Sequence, residues 1–348
     1  MAEFHKVHIQ EIKQETADAV SVVFSIPENL KANFNFTAGQ YVTLQKEING
    51  ETIRRAYSIC STPASGEIRV AIKKVEKGVF STYATSDLKV GDAIEITAPE
   101  GRFLLNPEVH KNYIGFAAGS GITPILSMLK SVLIKEPTAT FTLIYGNKSA
   151  KDTIFYEELN QLKETYIDRL KLHYIFSREN VKNNLRGRID GNVTNYFVKN
   201  MYKETSFDAA YLCGPEEMIK DVSKTLEKNN IAKENIHFEL FIVAVDEGKI
   251  AQVKEGETEI TVILDDEKST FTMSQTDDIL AANLRNNIDA PYSCQGGVCS
   301  SCLAKVTEGK AIMVKNSILT DDEIEEGLIL TCQAHPTTPK VTIDFDDV

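Results

Sequence analysis

The sequence predicts a multidomain chain. An antiparallel β-barrel spans residues 1–105, an α/β unit with a parallel sheet spans 106–241, and a small α+β unit spans 257–348, with a polar linker at 242–256. Three observations lead there. Short β-rich runs punctuated by Gly39, Gly50, Gly66, Gly78 and Gly91 fill the first hundred residues. Strand and helix patterns then alternate, as they do when helices cover both faces of a parallel sheet. Near the end, three cysteines stand at C-x4-C-x2-C spacing. A length of 348 residues suits two or three domains. A hydrophobic content of 42% lets each bury a core.

In the first unit the β-rich runs are residues 20–26, 40–44 and 68–72, and 93–97 alternates apolar and polar as a half-buried strand does. Closure into a barrel removes exposed edges. In the second unit, strands are expected at 113–118, 141–145, 170–176 and 209–213. Helices are expected at 125–134, 155–164 and 216–228. Residues 242–256 are polar and aperiodic, hence a linker. Residues 259–264 and 269–272 then form a hairpin around an acidic turn, and 277–287 a helix that Thr276 or Asp277 caps.

The cysteines are Cys294, Cys299 and Cys302, with Cys332 following. A [2Fe–2S] cluster takes four thiolates, and this is the plant-type ferredoxin spacing. Gly296 and Gly297 let the loop turn tightly and bring backbone N–H groups to the sulfides. Zinc or disulfides are the alternatives, but zinc usually takes two short, well-separated pairs. Cys60 and Cys213 are left as thiols.

The charged start without an apolar run argues against a signal peptide, and no stretch is long enough to span a membrane, so a cytoplasmic location is expected. Residues 257–348 carry 17 acidic and 6 basic residues, a net −11 of the chain's −12. That asymmetry argues against nucleic acid as a partner and suits a module docking on a basic surface. A solvated acidic face without a partner is the bland alternative. The six histidines show no ligand spacing, since a strand puts His5 and His8 on opposite faces.

Two further stretches carry chemistry. Ile114-Gly115-Phe116-Ala117-Ala118 runs into Gly119-Ser120-Gly121-Ile122-Thr123-Pro124 and a helix, so a pyrophosphate can approach the backbone at the helix start. Pro124 stands where the third glycine of G-x-G-x-x-G is expected. Arg54-Arg55-Ala56-Tyr57-Ser58 offers a phosphate partner, a stacking ring and a hydroxyl, although an exposed arginine beside a barrel tyrosine would look the same. Gly78-Val79-Phe80-Ser81-Thr82 reads as a second turn suited to a pyrophosphate.

Together, R-x-Y-S, G-x-x-S, the glycine turn and Cys213-Gly214-Pro215-Glu216-Glu217-Met218 resemble the ferredoxin–NADP reductase superfamily. With the cysteine-bearing unit last, the full length is similar to the reductase subunits of phenylacetyl-CoA epoxidase systems. Residues 141–147 and Gly187-Arg188-Ile189-Asp190-Gly191 add to the likeness.

The resemblance implies an FAD barrel, an NADP domain and a β-grasp ferredoxin domain. It implies that Arg55 holds the FAD phosphates, Tyr57 stacks on the flavin, Ser58 faces its N5, and Gly78, Ser81 and Thr82 bind the pyrophosphate. Gly119, Gly121, Thr123 and Gly214 would line the nucleotide site with Cys213 near the nicotinamide, and Ser177 with Arg178 would take the 2′-phosphate of NADPH. Glu239 and Phe241 would close over the flavin, with Leu240 where relatives tend to carry arginine. Cys294, Cys299, Cys302 and Cys332 would hold the cluster.

The activity implied is oxidoreductase: electrons pass from NADPH through FAD and the [2Fe–2S] cluster to a multi-subunit di-iron oxygenase, in phenylacetate catabolism. The alternatives are a reductase for another aromatic-ring oxygenase and a non-catalytic redox sensor or carrier. Oligomeric state is not legible.

Overall fold

The structure, a computed structural model, describes residues 3–181, 185–241 and 245–348. The chain divides into two compact units, Phe4–Phe241 and Ile242–Val348.

The first unit begins with a six-stranded antiparallel sheet in the order 51–58, 41–48, 93–97, 4–16, 19–25, 68–73. A bridge between Ile59 and Val70 joins its two ends and closes the barrel. The alternation of the strands explains its core: Val7, Ile9, Val22, Leu44, Val70, Ile72, Ile94 and Ile96 all point inward and are buried. On Phe4–Thr16 the same alternation buries His5 and exposes His8.

A parallel six-stranded sheet follows, in the order 185–186, 170–176, 140–147, 112–118, 209–213, 236–239. The helix Ile122–Lys135 is buried along almost its whole length, because one side faces this sheet and the other faces the barrel. Barrel residues Ala19, Ala38, Cys60 and Ala71 belong to the same core as Met128, Leu129 and Phe141. The barrel and the α/β layer therefore share apolar packing. Small side chains on the barrel side permit the close approach.

The second unit is a five-stranded mixed sheet in the order 267–274, 257–264, 340–344, 303–308, 328–330, with a two-stranded ribbon of Ala311–Met313 and Ala334–Pro336 and the helix Ile279–Arg285. Ile260, Val262, Ile279, Leu280, Leu330, Val341 and Ile343 fill its core.

Several elements differ from expectation. The stretch after Gly78 is not a free turn but the start of a helix, Val79–Ser86. The helix before the cysteine loop is shorter than 277–287 and is capped by Asp278, whose carboxylate accepts from the Ala281 N–H at 2.8 Å; neither Thr276 nor Asp277 does this. The hairpin turn is built on Asp265 and Asp266, both left-handed at φ 54° and 63°. Of the linker 242–256, residues 242–244 lie outside the described residues. The rest contains a single helical turn, Glu247–Ile250, capped by Asp246. Among the described residues no helix is long and apolar enough to cross a membrane.

Candidate functional site

The strand Glu51–Ser58 carries Arg55, Tyr57 and Ser58 to one end of the barrel. Tyr57 leans on Phe80, with ring centroids 5.7 Å apart and planes inclined 37°, and burial drives its hydroxyl well above the usual tyrosine range. Arg55 donates to the Arg54 carbonyl at 2.7 Å. Ser58, 5% exposed, donates to Glu239 Oε2 at 3.3 Å, so residues 181 apart in sequence meet. Burial raises Glu239 to about 8, against the smaller opposing effect of the Ser58 hydrogen bond. Glu239 ends the strand Ile236–Glu239, in register with Cys213, which in turn pairs with Ala117. Cys213 is fully buried, and burial pushes its thiol well above the usual cysteine range, with Glu239 adding to the rise once it ionises. Phe241 packs, partly buried, against the large shared core, and Leu240 is buried. Ser81 is engaged within its own turn: its hydroxyl donates to the Gly78 carbonyl at 3.3 Å and accepts from the Val75 N–H at 3.2 Å. Thr82 N–H bonds the Gly78 carbonyl at 3.0 Å.

The glycine turn lies at the head of the buried helix. Gly119 adopts φ +56°, which favours glycine. At Gly121 any Cβ would collide with the Cys213 carbonyl, so the turn can press against Cys213 and Gly214 only as glycine. The helix Ile122–Lys135 has no side-chain cap; its Ile122 N–H is taken by the Gly119 and Ser120 carbonyls, and its positive dipole end faces the turn. Thr123 is buried and donates to the Ser120 carbonyl at 3.1 Å. Ser177 and Arg178 follow the strand Leu170–Phe176, and their N–H groups bond the Asn147 and Lys148 carbonyls, both at 2.9 Å. Arg178 is exposed.

Sequence reasoning passed over two residues here. Tyr145 is fully buried and donates to the Gly119 carbonyl at 2.9 Å, which fixes the turn from below. The Lys73 ammonium, from the barrel, reaches the same turn, and burial and the neighbouring Lys148 lower its pKa. Only the register of Thr140–Asn147 beside Asn112–Ala118 reveals the first.

The cysteine loop closes into a nest of sulfurs. Cys299 Sγ lies 3.0 Å from Cys294 Sγ, and Cys332 bonds both Cys294 and Cys302. These sulfur contacts, outweighing burial, hold Cys294 low, and Gly296 N–H adds a bond to its sulfur at 3.3 Å. Gln333 ties the loop together, donating to the Gln295 carbonyl at 3.1 Å. Four converging thiols with a backbone N–H aimed at one of them fit a [2Fe–2S] cluster.

Known proteins divide the work in the same way. Residues 6–104 match an oxidoreductase FAD-binding domain, 116–224 an oxidoreductase NAD-binding domain, and 262–337 a 2Fe-2S iron-sulfur cluster binding domain. The chain is 38% identical to one of the subunits of the 1,2-phenylacetyl-CoA epoxidase of Escherichia coli K12, over 99% of each chain. It is 30% identical to the ferredoxin reductase component of the 3-ketosteroid-9-alpha-monooxygenase of Rhodococcus rhodochrous, over 97% of this chain and 95% of that one. Phthalate dioxygenase reductase shares the fold at a TM-score of 0.65 and 23% identity, with 98% of each chain covered. The chain is an oxidoreductase of the ferredoxin reductase family, grouped with that 1,2-phenylacetyl-CoA epoxidase component, in which FAD, nicotinamide nucleotide and [2Fe–2S] domains share one polypeptide.

Proposed function

We propose that the chain takes electrons from NADPH and delivers them to a multi-subunit di-iron oxygenase that acts on phenylacetyl-CoA. The observation that carries this is the end-to-end 38% identity with a component of 1,2-phenylacetyl-CoA epoxidase. When bound, FAD accepts electrons in a pair and releases them singly, while a [2Fe–2S] cluster takes one at a time.

The residues divide the remaining work. Arg55 is the phosphate partner for FAD, with Gly78, Ser81 and Thr82 at the start of the neighbouring helix. Ser81's bonds within the turn favour a role for it in shaping the backbone there. Tyr57 supplies a ring face backed by Phe80. Ser58 and Glu239 hold a proton at the flavin edge, since Glu239 stays largely protonated at neutral pH. Gly119, Gly121, Thr123 and Gly214 form the bed for the nucleotide pyrophosphate, at the uncapped helix start. Cys213 presents a neutral, buried thiol beside it. Cys294, Cys299, Cys302 and Cys332 ligate the cluster.

Ser177 and Arg178 favour NADPH, because a hydroxyl and an exposed guanidinium suit a dianionic 2′-phosphate. NADPH should be preferred over NADH in kcat/KM, and Arg178→Ala should lose most of that preference. A wild type that prefers NADH would overturn the assignment. Turnover of phenylacetyl-CoA in a mixture with the epoxidase oxygenase component, and none with a ketosteroid monooxygenase, tests the partner.

A further inference from the structure

One set of buried contacts lies apart from the residues assigned above to FAD, nucleotide and iron. The segment after Ser58 runs through Ile59 and Cys60 to Ser61 and Thr62, where it meets the nucleotide helix. Ser127 Oγ donates to the Ser61 carbonyl at 2.6 Å. Ser131 Oγ, which donates to the Ser127 carbonyl at 2.7 Å, lies 3.2 Å from Thr62 Oγ1. Ser61, Thr62, Ser127 and Ser131 are each between 0% and 5% exposed, so water does not compete for these bonds.

The barrel side is itself fixed. Ser61 Oγ donates to the Glu67 carbonyl at 2.5 Å and accepts from the Arg69 N–H at 3.1 Å. Outside the hydroxyl seam lies a layer of charge. Arg69, on the barrel, donates to Glu15 Oε1 at 2.9 Å and to Glu158 Oε2 at 3.0 Å. Lys130, on the nucleotide helix, donates to the other oxygen of Glu158 at 2.8 Å. Burial alone would raise Glu158, but Lys130 and Arg69 together hold it below the usual carboxylate range. Glu158, on the helix Tyr156–Thr165, thus binds one cation from each layer.

The geometry of the chain gives this seam a consequence. Ser61 is three residues beyond Ser58, and Ser127 is four residues beyond Thr123, about one helical turn. The seam therefore links the flavin-facing hydroxyl and the nucleotide bed by two short, rigid arms. We infer that Ser61, Thr62, Ser127 and Ser131, backed by Arg69, Glu158 and Lys130, are positioning residues that set the separation of the nicotinamide and flavin rings. This deepens the reading of Ser58 and residues 119–123 as flavin and nucleotide sites, and rests on it. In the reaction concerned, two electrons and a proton leave the nucleotide together, so the nucleotide is oxidised and the flavin reduced. Such a step is steep in distance: a misplacement of about 1 Å can cost on the order of a hundredfold.

The test uses the full-length holoenzyme with Ser127→Ala, Ser127→Thr and Glu158→Gln. Flavin content and the dissociation constant for NADP⁺ are measured by absorbance, and flavin reduction is followed by anaerobic stopped flow at saturating NADPH. The expected result for Ser127→Ala and Glu158→Gln is unchanged flavin content and at most a twofold change in nucleotide affinity. Flavin reduction should be at least about tenfold slower, and the long-wavelength charge-transfer absorbance of the nucleotide–flavin pair weaker. Ser127→Thr, which keeps the hydroxyl, should restore both. Reduction rate and charge-transfer absorbance within twofold of wild type in both Ser127→Ala and Glu158→Gln would overturn the inference. If Ser127→Ala loses its flavin or its fold, Glu158→Gln decides the matter by the same two readings. A wild type whose flavin shows neither reduction nor charge-transfer absorbance with NADPH or NADH would overturn the site reading on which the inference rests.

Discussion

The cysteine nest and the flavin–nucleotide site solve opposite problems. The nest is local: three of its four sulfurs come from nine consecutive residues, 294–302, and Cys332 is brought in by a short strand, Leu328–Leu330. The other site is assembled at a seam. Ser58 meets Glu239 across 181 residues, and the glycine turn at 119–121 touches Cys213 and Tyr145 from separate strands. A cluster needs ligands at fixed spacing, which one loop can provide. Transfer between two organic rings needs two independently bound molecules held in register, which only the packing of two layers can provide.

Removing one sulfur of the nest should separate the two regions most sharply. Cys332→Ala should abolish the visible absorbance and paramagnetic signature of the cluster. The unit Phe4–Phe241 has its own cores and should keep FAD. NADPH oxidation with ferricyanide, which takes electrons from flavin, should persist at a comparable rate while delivery to the oxygenase collapses. Ser58→Ala, by contrast, should slow both assays. Loss of ferricyanide activity in Cys332→Ala would mean that the two regions are not separable.

A smaller effect is expected at the seam side. Gly121→Ala drives a methyl into the Cys213 carbonyl, and the backbone there cannot yield as a side chain could. Destabilisation of about 1–3 kcal/mol is expected in thermal melts, with a raised KM for nucleotide and an undisturbed cluster spectrum. An unchanged KM would remove the glycine turn from the nucleotide site.

Glu239 should make the unit Phe4–Phe241 sensitive to pH. Its folded pKa, about 8, lies above the usual carboxylate range, so the folded chain holds a proton that the unfolded chain has released. Its contribution to stability therefore declines as pH rises from the ordinary carboxylate range to about 8, and Glu239→Gln should flatten that decline. Flavin reduction should also slow as pH passes about 8 in the wild type and lose that limb in the variant. A wild-type profile flat through pH 8 would count against a proton held there.

The smallest effect concerns charge. Residues 257–348 hold −11 of the chain's −12, and Asp321–Glu325 with Glu326 concentrates it just ahead of the strand leading to Cys332. Partner-dependent turnover should fall as salt rises, since a Debye length of about 10 Å at 0.1 M screens exposed charge. Turnover that stays flat with salt would remove steering.

The same contrast governs what the sequence disclosed. The cysteine spacing pointed to its chemistry because three of the four cysteines are sequence neighbours, and the strand patterns were legible because the barrel strand Phe4–Thr16 alternates with the pleat while the parallel strands Asn112–Ala118 and Thr140–Asn147 read as continuous apolar runs. Ser81 and Thr82 looked like a free turn because nothing local says that Gly78 opens a helix. Asp278 outcompeted Thr276 and Asp277 as cap by position alone, since its carboxylate reaches the Ala281 N–H. Tyr145, Lys73 and the serines of the seam carried no local signal. Tyr145 looks like any core tyrosine, and Ser127 and Ser131 look like breaks in an apolar helix until Ser61 and Thr62 are brought against them.

The claim that electrons run from nucleotide to flavin to cluster is tested most directly by anaerobic titration of the purified chain with NADPH, followed by absorbance and electron paramagnetic resonance together. The flavin should bleach, and a reduced [2Fe–2S] signal should grow without any added mediator, two electrons at the flavin and one at the cluster. In Cys332→Ala only the flavin change should remain. A cluster that stays oxidised while the flavin is fully reduced, in the presence of excess NADPH, would contradict that order of flow.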